Sequence, residues 1–89
     1  MANHRSAAKR ARQDIKRSAR NKNVKGKVKS AIRKYRESLT EGDLTKAKEL
    51  LSSAATELRK AGSKGVFHKN TVSRRISRLA ASFNALRSA

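Results

Sequence analysis

The chain has 89 residues, 24 Lys/Arg against 6 Asp/Glu, and a formal net charge of +18. At 36% hydrophobic with only three aromatics, it can build one small domain with a thin core and little stability margin. It contains no Cys, which excludes disulfides and thiolate chemistry, and no apolar run approaches the roughly 18 residues of a transmembrane helix.

The first predicted helix runs from near Ser6 to about Glu41, with no Pro to interrupt it. Its C-terminal half carries an apolar stripe, Val28, Ile32, Tyr35 and Leu39, spaced 4, 3 and 4. Its N-terminal half offers only Ala7, Ala8, Ala11, Ile15 and Ala19 on the matching side. Around these stand Arg5, Lys9, Arg10, Arg12, Lys16, Arg17, Arg20 and Lys22, eight bases against the single acid Asp14. Asn21, Asn23 and Gly26 are poor helix residues, so a bend or fray is expected there. A bundle this small cannot cover the whole helix, so residues 1–23 are expected to project as a basic arm and residues 24–89 to form the bundle. Like-charge repulsion should leave that arm partly disordered when free and folded when bound.

Gly42 is placed to end this helix and Asp43 to cap the next. The second helix carries Leu44, Ala47, Leu51, Ala54, Leu58 and Ala61 at alternating spacings of 3 and 4, with Gly62 expected to end it. After a connection over Ser63–Asn70, Val72, Ile76, Leu79, Phe83 and Leu86 share a third helical face. Arg74 and Arg78 point about 200° away from Ile76, taking ~100° per residue, so this helix sets a core face against a basic one. The fold class is all-α: a three-helix, up-down-up bundle with a long basic first helix extending beyond it. Leu51, Leu58, Ile32, Ile76 and Phe83 are expected to be its most buried residues.

Charge is distributed unevenly. Residues 1–36 carry fourteen bases and one acid, residues 37–60 four bases and five acids, and residues 61–89 six bases and no acid. The middle reads as ordinary solvated surface and the two ends as the partner-facing regions. A metal site would need clustered ligands, but His4 and His68 stand alone. Lys25-Gly26-Lys27 and Lys64-Gly65 lack the spacing and strand context of a phosphate-binding loop. No carboxylate pair suggests acid/base catalysis, so neither an enzyme nor a cofactor or metal is expected. A membrane-surface helix would need large apolar residues on one face, and Ile15 is the arm's only one. Phosphate neutralisation with counterion release suits the arm better.

The turn Lys64-Gly65-Val66-Phe67-His68-Lys69-Asn70 mixes a flexible glycine, an apolar foot and a polar corner. His68 has two readings: a turn residue bonding the local backbone, or a contact to phosphate or a 2′-hydroxyl beside Lys64, Lys69 and Asn70. Asn70 reads equally as an N-cap and as an RNA contact. Phe67 and Tyr35 read as core before base-stacking platforms.

This turn, the start Met-Ala-Asn-His-Arg-Ser-Ala-Ala-Lys-Arg and the Gly42-Asp43 break resemble the bacterial small-subunit ribosomal protein S-twenty family over essentially the whole chain. Ser73 and Ser77 depart from it, standing where more small apolar or basic residues are expected. The resemblance implies a ribosome-bound, cytoplasmic structural protein. It implies direct binding to 16S rRNA near the 5′ domain and the long 3′ helix, early in assembly. No membrane partner and no homo-oligomer are expected. By that match the RNA-facing residues are Lys64, His68, Lys69, Asn70, Arg74 and Arg75 together with the arm bases, and the exposed face of the third helix adds Arg78. A DNA-compacting nucleoid protein shares the same charge logic. Minor-groove architectural proteins commonly insert an apolar wedge, and no exposed candidate for one is evident.

Overall fold

The computed structural model describes residues 3–88, with side chains from Ser6 onward. Three helices follow one another: α1 (Asn3–Glu41), α2 (Leu44–Ser63) and α3 (Lys69–Ser88). At 1.5 Å per residue, α1 is about 58 Å long and each of the others about 30 Å. The molecule measures 67 × 21 × 13 Å, so α1 sets its long axis. The chain reverses at Gly42–Asp43 and again over 64–68, which gives the up-down-up order. Helix α2 packs against both neighbours, and α1 meets α3 along a narrower contact.

Each reversal has a local cause. Gly42 takes φ +75°, a left-handed conformation that costs glycine nothing, and its N–H donates to the Leu39 carbonyl at 3.1 Å. Asp43 then caps α2, its carboxylate accepting the Lys46 N–H at 3.1 Å. At the far end of α2 the left-handed residue is Gly65, φ +76°, and not Gly62. Gly65 N–H reaches the Gly62 carbonyl at 3.1 Å and Val66 N–H the Ala61 carbonyl at 3.0 Å. These are the paired bonds of a Schellman stop. Gly62 lies inside the helix and serves packing instead, since a Cβ there would come within 3.0 Å of Val72 Cγ2.

Helix α1 continues unbroken through Asn21, Asn23 and Gly26, where a bend or fray was expected from propensity. Tertiary packing overrides propensity at this point, because Val24 and Val28 are already buried. Asn21 is half-buried, and its Oδ1 has no hydrogen-bond partner among the described residues.

The core is built on small residues. Ala47, Ala54, Leu58 and Ala61 of α2 are wholly buried, together with Tyr35 and nearly all of Val28. Val24, Val72 and Leu79 complete it. Of the five residues expected deepest, only Leu58 is fully buried. Ile32, Leu51, Ile76 and Phe83 are half-buried and seal the margins. The reason is steric: alanines on the contact line bring the helices close, so the larger side chains are displaced to the flanks.

One buried polar network ties α1 to α3. The Tyr35 hydroxyl donates to the Leu79 carbonyl at 2.7 Å and lies 2.9 Å from Ser82 Oγ, which is 2.6 Å from the same carbonyl. Two hydroxyl protons thus serve three oxygen–oxygen contacts. Ser38, also buried, donates back to the Tyr35 carbonyl at 2.6 Å.

Candidate nucleic-acid interface

Residues 6–20 of α1 are exposed without exception, and burial begins at Asn21 and Val24. Lys9, Arg10, Arg12, Lys16, Arg17, Arg20 and Lys22 are therefore all open to solvent, while the Arg5 side chain lies outside the described residues. At ~100° per residue, Lys9, Arg12, Lys16 and Arg20 fall within about 80° of one another. Lys27 and Lys34 continue their line into the groove between α1 and α2. Arg10 and Arg17 project toward the side that buries Val24, Val28 and Tyr35 further along the helix, but beyond the bundle's end.

The corner between α2 and α3 is held at both ends. The Schellman bonds fix Gly65 and Val66, and Val66 and Phe67 pack their side chains on the core. His68 is the N-cap of α3: its Nδ1 accepts the Asn70 N–H at 3.1 Å, and its carbonyl accepts the Val72 N–H at 3.1 Å. Of the two readings of His68, the local backbone bond is present. Asn70 does not cap the helix; it lies within the first turn and is exposed, as are Lys64, His68 and Lys69. With Nδ1 accepting, the exposed imidazole's other nitrogen, Nε2, carries the ring's N–H.

Arg74, Arg75 and Arg78 are all exposed, but the fold separates them. Arg75 and Arg78 line a groove of about 1170 Å³ between α1 and α3, and Arg74 does not. The opposite wall carries Lys25, Lys29, Arg33 and Arg36. The Arg75 guanidinium sits 4.9 Å from the centroid of the Phe67 ring, a cation–π contact at one end of the groove. Those four α1 cations were not singled out from the sequence, although their 4, 4, 3 spacing is a helical stripe that could have marked them.

Among the described residues, no cation of this surface is in an ion pair. The ion pairs among the described residues, Lys46–Glu41 at 3.6 Å and Lys60–Glu57 at 4.0 Å, both use bases of the near-neutral middle. The groove's one acid, Glu37, makes no ion pair within 4.0 Å among the described residues. No cluster of His, Cys, Asp and Glu among the described residues could hold a metal, and no described helix is long and apolar enough to cross a membrane. The surface is suited to a polyanion that supplies many phosphates at once.

The family model described as Ribosomal protein S20 matches residues 2–84. The small ribosomal subunit protein bS20 of Anaeromyxobacter sp. (strain Fw109-5) is 56% identical over 80 residues, covering 90% of this chain and 89% of the relative. The protein of the same name from Helicobacter pylori (strain Shi470) is 54% identical over 82 residues, 92% of each chain. That from Caldanaerobacter subterraneus subsp. tengcongensis is 51% identical over 86 residues, 97% of this chain and 82% of the relative.

Proposed function

The chain belongs to the ribosomal protein S20 family, and from that premise we propose that it binds 16S rRNA directly in the small ribosomal subunit and stabilises the RNA fold by neutralising phosphates. The observation that carries this reading is the uninterrupted exposure of residues 6–20, a helical segment rich in Lys and Arg with no packing role. None of its residues belongs to the buried core, so its charge serves a partner. The arm of residues 1–23 folds fully when RNA supplies counter-charge, and the bundle of residues 24–89 presents the corner and the α3 arginines.

The two regions act differently in this reading. Lys9, Arg10, Arg12, Lys16, Arg17, Arg20 and Lys22, with Arg5, contribute mainly long-range charge. Lys64, His68, Lys69 and Asn70 sit on a corner fixed by backbone bonds, so their donors match one RNA shape. The protein works on the ribosome in the cytoplasm, as a monomer and without catalysis, close to the 5′ domain and the long 3′ helix of the RNA. Crosslinking in cells followed by sequencing of the attached nucleic acid tests this. The expected result is enrichment of those 16S rRNA regions; recovery of chromosomal DNA would replace it with the nucleoid reading.

A further inference from the structure

We infer that the groove between α1 and α3 is a distinct binding site for one sugar–phosphate strand of structured RNA, and that Tyr35 sets its width. The inference rests on the rRNA-binding reading above and adds to it a site that the arm and the corner do not include. Six cations line it, Lys25, Lys29, Arg33 and Arg36 from α1 and Arg75 and Arg78 from α3, all exposed. Glu37 is the only acid against them. Exposed cations on facing helices repel each other, and none of the six is in an ion pair among the described residues. That arrangement is stabilised when an anion enters between them. Four of the six are arginines, whose planar forks bind phosphate oxygens bidentately.

The dimensions select a single strand. The walls are side chains of two neighbouring helices, each about 10–12 Å across, so the groove along their seam can seat one backbone strand but is too narrow for a whole duplex. The four α1 cations span about 16 Å along the axis, roughly one per turn. Val28, Ile32, Leu79 and Phe67 supply an apolar floor against which ribose can lie. The groove is also separate from the arm's line of bases. At ~100° per residue, Lys25, Lys29, Arg33 and Arg36 lie about 150° around α1 from Lys9, Arg12, Lys16 and Arg20.

Tyr35 is a positioning residue. Its side chain is fully buried, and its hydroxyl joins α1 to Ser82 and to the carbonyl of Leu79, a residue of the groove's lining, where the two helices share little other contact. Replacing the hydroxyl leaves every charge in place but frees one wall to shift against the other.

The test is filter binding of the full chain to 16S rRNA across a salt series. The triple variant Lys29→Ala/Arg33→Ala/Arg36→Ala should lower the log–log salt slope by about 2–3, at ~0.7–0.9 per lost phosphate contact. The control Lys48→Ala/Arg59→Ala, on the exposed face of α2, should leave it unchanged. Tyr35→Phe should lose about three- to tenfold in affinity, the scale of one hydrogen bond, at unchanged slope. Ser82→Ala, which touches the same network from α3, should shift affinity in the same direction, with circular dichroism showing that both variants fold. A triple variant that matches the α2 control overturns the groove while the rRNA-binding reading stands. Equal competition by poly-glutamate and by RNA also overturns it, because the groove would then accept any polyanion. Failure of the unmodified chain to bind 16S rRNA overturns both.

Discussion

Helix α1 is one continuous helix with two regimes. From Val24 onward it is held by burial: Val28 and Tyr35 sit against the alanine face of α2. From Ser6 to Arg20 nothing is buried, Ile15 remains 69% exposed, and the bases repel one another. Propensity alone barely sustains an isolated helix of this length, because most helical stability in proteins comes from packing an apolar face. The same secondary structure therefore has different physical support at its two ends. The packed half is expected to persist alone and the exposed half to depend on what it meets.

The largest expected effect tests the packed side. Leu58→Ala removes the biggest fully buried aliphatic side chain and should cost about 2–5 kcal/mol, read as a fall in the denaturation midpoint. Ile15→Ala in the exposed half should change stability by less than ~0.5 kcal/mol. Similar losses at both positions would erase the distinction between the halves.

Much of this architecture was legible beforehand. The three apolar stripes, the Gly42–Asp43 break and the turn before α3 follow from periodicity and turn chemistry. Depth within the core did not. Periodicity identifies a face, but the contact line within that face is set by how closely helices approach, and Ala47, Ala54 and Ala61 let them approach closely. Gly62 and Gly65 are three residues apart and both fit a helix stop; only the backbone distinguishes the left-handed residue from the one pressed against Val72. The arm and corner bases stood out as charge runs. The bases at 25, 29, 33 and 36 form a visible helical stripe, but that they face Arg75 and Arg78 across a groove follows from the position of α3, which no local pattern encodes.

A smaller effect concerns the corner. His68→Ala removes the acceptor of the Asn70 N–H and should destabilise by about 1 kcal/mol, whereas Asn70→Asp, with no capping role to lose, should leave the melting midpoint nearly unchanged. The reverse ranking in thermal denaturation would return the cap to Asn70.

The smallest effect lies at the boundary between the two regimes. Asn21 combines low helix propensity with a buried Oδ1 that has no hydrogen-bond partner among the described residues. Asn21→Ala should stabilise the free protein by about 0.5–1 kcal/mol. A loss in urea denaturation would mean that the amide has a partner essential to the junction.

Amide hydrogen exchange tests the comparison most directly, measured on the free protein at low salt and again with 16S rRNA. The expected result is fast exchange over residues 6–20 in the free chain, strong protection there in the complex, and protection over residues 44–61 in both. Protection of residues 6–20 in the free chain equal to that of α2, or none gained on adding the RNA, would contradict the account.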